Sequence, residues 1–327
     1  MKNSPLVSII IPTKDRLIFL KETLATVLSQ SYSNLEVIIV DDHSKDKIKA
    51  YIQQLGDERV KYVKNIGKGP GAARNVGLKY AEGDLIKFFD SDDLMTFNLI
   101  EAQVEEIMTT KSDLVYSPYV KAEKKVGGII QKGEIMHFKP WHVSHDLSAL
   151  MLQSFFIAIP CFLFKRSCIK QLSPWRENVI TYEDWIYLWE ISKKNVRISH
   201  TNKGCFFYMI HGRQSTVGNL SNKERDYEKG LIVLPVFEAQ YLNKDINIIR
   251  KLKAGRALYK ELKGIDDDKI KLKYKKYLKS KFLKSVDLIW RFYDKLAGIT
   301  NQSSWPKHYG TSNSQDNFNR YKKCLKL

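Results

Sequence analysis

Short apolar runs alternate with longer segments in which apolar residues return every three or four positions. LVSIIIP (6–12) is a continuous apolar run of strand length, and LIFLKETLATVLSQ (17–30) has helical spacing. LEVIIVDD (35–42) predicts a second strand, KDKIKAYIQQL (45–55) a helix and RVKYVKN (59–65) a third strand. GPGAARNVGLKYA (69–81) reads as a helix after its glycines, and DLIKFFD (84–90) as a fourth strand. A helix from about Asn98 to Thr109 and a strand at DLVYS (113–117) follow. This rhythm predicts an α/β fold with a doubly wound, mostly parallel, Rossmann-like sheet covered by helices on both faces. Ligands of such sheets bind beyond the carboxyl ends of the strands.

After residue 120 the alternation stops. KAEKKVGGIIQKGE (121–134) predicts a hairpin around Gly127 and Gly128. A helix is expected at 146–156, a strand at 159–166, a helix at 181–194 with Glu183 and Asp184 in its first turn, and a strand at 205–212. From Asn222 the pattern is helical, including a long helix at 270–293, and the polar stretch 301–320 reads as a mobile end. The pattern divides the chain into 1–218, with halves 1–117 and 118–218, and a C-terminal helical appendage, 219–327.

Composition adds one asymmetry. The 327 residues carry a net charge of +18, yet residues 221–327 alone hold 25 Lys and Arg against 12 Asp and Glu. Residues 269–286 contain eight lysines and no acid, and Ile270, Tyr274, Tyr277, Leu278, Phe282, Val286, Ile289 and Trp290 follow helical spacing between them. A basic amphipathic helix of this kind suits an anionic membrane surface, with packing on the rest of the chain as the alternative. No nucleic-acid-binding signature accompanies the charge. No apolar stretch reaches the roughly 18 to 20 residues of a membrane span, and the N-terminal run reads as a strand rather than a signal peptide. Cys161, Cys168, Cys205 and Cys324 show no disulfide or metal spacing, which suits a reducing cytoplasm.

The candidate chemistry gathers at the strand ends: PTKD (12–15), DDHS (41–44), GKGPGAARN (67–75) and DSDD (90–93). Asp90, Asp92 and Asp93 repel one another, and no Lys or Arg occurs in the next dozen positions. A divalent cation, Mn²⁺ or Mg²⁺, would relieve that repulsion. If strand geometry persists, Asp90 and Asp92 point to one face. Each group also has a plainer reading. Asp42 could cap a helix, although Ser44 is better placed for the next one. Glu183 and Asp184 could be first-turn acids favoured by the helix dipole. His211 could be structural, Asp93 a loop carboxylate, and Trp185 and Trp189 either core or acceptor-pocket aromatics.

Five ordered segments carry a resemblance: VSIIIPTKDR, LEVIIVDDHS, NIGKGPGAARNVGLKYAEGDLIKFFDSDD, YEDWIYLW and YMIHGRQST. Together they resemble the inverting family 2 glycosyltransferases of the GT-A fold over roughly residues 5 to 215. The resemblance implies transfer of a sugar from a nucleotide sugar, a UDP-sugar, to a lipid-linked or growing bacterial surface glycan such as capsule. Pro12, Thr13 and Asp15 would hold the base and ribose, Asp42 the base, and Arg74 the nucleotide or its phosphates. Asp90 and Asp92 match the family's Asp-x-Asp, with Asp92 the metal ligand. Asp184 matches the catalytic base, with Glu183 in support, and His211 would lie near the metal or diphosphate. Lys14 departs from the small or aromatic residue often found at its position. Bacterial relatives of this type work on polyprenyl-diphosphate-linked acceptors at the inner face of the cell membrane, which would place the chain in the cytoplasm, peripheral to that membrane. The competing readings are a metal-dependent nucleotidyltransferase and a non-catalytic nucleotide-binding partner subunit.

Overall fold

The computed structural model describes residues 4–126, 128–136, 158–177, 179, 181–211 and 221–296, together with 147, 151, 319 and 322–325. The predicted alternation is present: β1 (Val7–Thr13), α1 (Leu17–Leu28), β2 (Leu35–Asp41), α2 (Ile48–Leu55), β3 (Val60–Lys64), α3 (Gly69–Tyr80) and β4 (Leu85–Phe88). After β4 come β5 (Leu94–Met95), α4 (Leu99–Thr110), β6 (Leu114–Tyr116), β7 (Tyr119–Lys125), β8 (Gly128–Met136) and β9 (Phe162–Lys165). A single helical turn, α5 (Arg166–Ile169), then α6 (Glu183–Ser192), β10 (Ile198–His200) and β11 (Phe206–Ile210) follow. The expected helix at 146–156 lies outside the described residues apart from Leu147 and Met151. The expected mobile end at 301–320 lies outside them apart from Asn319.

Seven strands form one sheet in the order β10-β6-β9-β4-β1-β2-β3. β4, β1, β2 and β3 run parallel, and β9 runs antiparallel to both its neighbours. β2 is buried along its whole length and β1 nearly so, which explains their continuous Val and Ile runs. Helix α3 lies close against this sheet because Gly77 has no side chain: a Cβ there would meet Ile10 Cγ2 at 2.3 Å. That close approach fixes the direction in which α3 presents Arg74.

The pattern did not reveal a second sheet, ordered β5-β11-β7-β8. β7 and β8 are the hairpin expected around Gly127 and Gly128, but β5 has only two residues, too few to give a period. This small sheet carries β11 alongside β5, so the end of β11 meets the turn that follows β4.

The C-terminal helices are α7 (Asn222–Leu242), α8 (Ile248–Gly264), α9 (Asp268–Lys273), α10 (Lys275–Leu278) and α11 (Lys281–Leu296). The long helix expected at 270–293 is therefore three pieces. Tyr274 and Tyr277 turn into the core, and the Ser280 hydroxyl accepts from Leu283 N–H at 3.2 Å, restarting the helix as α11. One hydrophobic cluster runs from Leu20 and Ile38 through Trp185 to Phe237, Leu258, Tyr274 and Leu283. The expected boundary at 218 falls outside the described residues, and the helices beyond it share the core of the sheet domain. Cys161, Cys168 and Cys205 are buried free thiols, and Cys324 is a half-buried one.

Candidate active site

The carboxyl ends of β1, β2 and β4 converge, and the loops leaving them hold one another. Asp15 accepts from Lys45 N–H at 2.6 Å while its own N–H donates to the Ser44 hydroxyl at 3.0 Å. Ser44 is thus spent on the β1 loop and does not cap α2, whose N-cap is Lys47 without a side-chain bond. Asp42 caps a different helix, accepting from Gly69 N–H at the start of α3 and from Asn65 Nδ2 at 2.7 Å. Lys14 lies 3.8 Å from Asp42. Pro12 and Thr13 end β1, and the Thr13 hydroxyl is buried with no hydrogen-bond partner among the described residues. A buried polar group of this kind is costly unless something satisfies it.

β4 ends at Phe88, earlier than the sequence suggests, and residues 90–93 form a turn closed by Asp93 N–H on Asp90 carbonyl oxygen at 3.4 Å. Strand alternation therefore does not aim Asp90 and Asp92. Each is drawn instead to its own arginine from a distant segment. Arg74 donates to Asp90 at 3.2 Å and to Glu183 at 2.9 Å. Arg16, the N-cap residue of α1, is bonded to Asp92, and His211 Nε2 lies 3.0 Å from the same carboxylate oxygen. The His211 ring stacks on Phe19 at 4.1 Å. Asp93 turns inward, accepting from Met209 N–H at 2.9 Å, and burial holds its carboxyl well above the usual carboxylate range. The positive charge missing from the local sequence comes from Arg16 and Arg74.

Arg74 is only 4% exposed, and its guanidinium lies 4.6 Å from the Trp175 ring centre. It is placed between Asp90 and Glu183 and pairs with both. Asp184 follows Glu183 in the first turn of α6. A helix N-terminus favours an ionised carboxylate there, yet burial and the adjacent Glu183 charge outweigh the dipole and push Asp184 up to about 7. Trp185 and Trp189 stack on each other and are buried, which makes them core residues. Segment 212–216 of the YMIHGRQST stretch lies outside the described residues.

Four non-glycine residues among those described have positive φ, and three of them flank this site: Asp15 (50°), His43 (60°) and Tyr182 (63°). Strained backbone of this sort clusters at functional sites. Trp175 and Tyr182 carry no motif that would have singled them out, whereas Arg16 stands in plain view in PTKDR.

Among the described residues no group of three or more His, Cys, Asp or Glu side chains is arranged as a metal cage. A hard divalent cation that also binds phosphate needs only one or two protein ligands. The adjacent Asp92 oxygen and His211 nitrogen fit that requirement.

The parallel-rich sheet agrees with what the comparisons find. Residues 8–173, half of the chain, match the glycosyl transferase family 2 domain. The chain belongs to that family. It is a glycosyltransferase, which removes support from the nucleotidyltransferase reading. It is 29% identical over 235 residues to the Escherichia coli UDP-Glc:alpha-D-GlcNAc-diphosphoundecaprenol beta-1,3-glucosyltransferase WfgD, covering 71% of this chain and 86% of that one. To WfaP, of the same printed activity and organism, it is 31% identical over 209 residues, 63% of this chain and 78% of the other. S. aureus TarS in complex with UDP-GlcNAc superposes with a TM-score of 0.58 at 20% identity, over 79% of this chain and 71% of that chain. The mannosyltransferase PcManGT from Pyrobaculum calidifontis, in complex with GDP-Man and Mn2+, superposes with a TM-score of 0.55 at 15% identity, over 99% and 85%. These likenesses show the GT-A fold.

Proposed function

We propose that this glycosyltransferase inverts the anomeric centre of a UDP-sugar, using Asp184 as base, on an acceptor linked to a polyprenyl diphosphate. The observation that carries the reading is the Glu183–Arg74–Asp90 chain of ion pairs, which ties the acid pair of α6 to the carboxylate turn after β4. Donor diphosphate and acceptor hydroxyl would then meet between these two elements. Asp184 takes the proton of the acceptor hydroxyl as its oxygen attacks the sugar carbon, and the carbon–oxygen bond to the diphosphate breaks. A base poised near neutrality suits that step, since it is ionised at working pH yet basic enough to accept the proton.

Pro12, Thr13, Asp15 and Asp42 line the loops that would hold the nucleoside, with the unpartnered Thr13 hydroxyl available to it. Asp92 and His211, with Asp90 nearby, would hold Mn²⁺ or Mg²⁺, and such a cation supplies charge stabilisation to a leaving diphosphate. Arg16 is the cation that shares Asp92 in this structure. The UDP-sugar and the lipid-linked acceptor are supported by the printed activities of WfgD and WfaP.

The outward side of the C-terminal helices supports contact with an anionic membrane. Lys273, Lys275, Lys276, Lys279, Lys281, Lys284 and Arg291 are exposed between residues 272 and 291, as are Leu272, Phe282, Leu288 and Ile289. The one acid in that span, Asp287, is buried and paired with Arg291 at 2.9 Å. Ile270, Tyr274, Tyr277 and Val286 of the predicted apolar stripe face the core, so the membrane face is narrower than the sequence suggests. No helix among the described residues is long and apolar enough to cross a membrane. The direct test is transfer from UDP-glucose to a GlcNAc-diphosphate-polyprenol. Product with inverted configuration, absent with Asp184→Asn, supports the reading; full activity of that variant would refute the base assignment.

A further inference from the structure

The sequence treats everything after residue 218 as an appendage, but one of its side chains reaches the segment that carries the acid pair. Glu228 lies on α7, and its carboxylate accepts from Thr181 N–H at 2.8 Å and from the Thr181 hydroxyl through the same oxygen. Thr181 is 2% exposed. The next residue, Tyr182, is the N-cap of α6, stands at φ 63° and offers no side-chain cap. Glu183 and Asp184 follow directly.

A bulky residue in the left-handed region is strained and persists only where its surroundings hold it. Two features of α7 supply that hold. Glu228 fixes the residue before the strained one, and Phe237 packs edge-on against Trp185, the residue after the acid pair, at 5.7 Å. The Glu183–Asp184 turn is clamped on both sides by a single helix.

We infer that Glu228 is a positioning residue for the catalytic base, and that α7 is part of the active site's framework. This rests on the Asp184 reading above. Glu228 touches no substrate; it sets the turn from which Asp184 reaches the acceptor hydroxyl. Displacements of about 1 Å at such a group cost up to about 100-fold in rate.

The test compares Glu228→Ala, Glu228→Gln, Thr181→Val and Asp184→Asn in the full chain. It measures kcat and KM with the UDP-sugar the wild type turns over, UDP affinity, and hydrogen exchange at the amides of residues 182–185. Glu228→Ala is expected to lower kcat about 10- to 100-fold while donor KM and UDP affinity stay within about twofold. Exchange at 182–185 should quicken at least about tenfold, with β1 and β2 unchanged. Glu228→Gln keeps an acceptor oxygen and should restore most of the rate. Thr181→Val, which removes one of the two bonds, should cost about threefold to tenfold and serves if the alanine variant does not fold. Wild-type kcat and exchange in Glu228→Ala, beside an inactive Asp184→Asn, would overturn the inference alone. An active Asp184→Asn would instead overturn the base assignment beneath it.

Discussion

Arg74 holds Glu183 at 2.9 Å and Asp90 at 3.2 Å, joining residues 109 and 16 positions away in the chain. The pairing explains how a helix beyond residue 180 is brought to α3 and the turn after β4. Removing the guanidinium leaves Glu183 largely buried and unpaired, while Asp90 is more than a third exposed and better able to recruit water. Arg74→Ala should therefore lose about 3 kcal/mol of stability, read by denaturant unfolding, together with nearly all transfer. Arg74→Lys, which cannot span both carboxylates and stack on Trp175, should recover little of either.

The raised Asp184 carboxyl predicts two opposite pH dependences. Folded Asp184 titrates at about 7, above its ordinary value of 3.8, so the folded chain holds a proton that the unfolded chain has released. Between these values stability falls as pH rises, and above about 7 the full cost of ionising the buried group is present. Asp184→Asn should therefore raise the melting temperature by several degrees at pH 8 and change it little at pH 4. Activity should run the other way, with kcat rising through pH 7 as the base ionises, and Asp184→Asn should lower kcat about 100- to 10,000-fold.

Asp92 is shared between Arg16 and His211, with the His211 nitrogen 3.0 Å from its oxygen. His211→Ala should raise the Mn²⁺ concentration giving half-maximal activity about tenfold or more. The same substitution also removes the stack on Phe19 and the contact with Asp92, so the melting temperature should fall by a few degrees without loss of the fold. An unchanged metal requirement would remove His211 from the ligand set.

Phe282, Leu288 and Ile289 are 55%, 69% and 66% exposed on α11 among lysines. Flotation with vesicles containing phosphatidylglycerol should recover the chain at low salt. Replacing the three apolar residues by serine, or Lys281 and Lys284 by glutamate, should weaken recovery, each lysine contributing about 1 kcal/mol. Equal recovery with neutral vesicles would rule out the charge component.

The fold was legible where burial imposes a period. β1, β2 and α3 stand close to their expected spans because strands buried on both faces must be apolar throughout and α3 must keep one face against the sheet. The two-residue β5 is too short to show a period, so nothing in the sequence marked the strand that joins β11 to the turn after β4. Asp90, Asp92, Glu183 and Asp184 could be chosen as site residues by type and order. Their partners could not, because ion pairs spanning 76 and 109 residues leave no local mark. The same holds for Asp42, whose helix begins 27 positions later. The helix dipole favours an ionised Asp184, and the burial that pushes its carboxyl the other way leaves no mark in the local sequence.

If the carboxylate turn after β4 and the acid pair of α6 form one transferase site with separate duties, substitution should separate nucleotide binding from transfer. Calorimetric titration of UDP in the presence of Mn²⁺, and again with EDTA, addresses it most directly when run on wild type, Asp92→Ala and Asp184→Asn. UDP binding should depend on the metal, vanish in Asp92→Ala and stay within about twofold in Asp184→Asn, although the latter no longer transfers sugar. UDP binding that ignores both Mn²⁺ and Asp92, or that fails in Asp184→Asn, would contradict it.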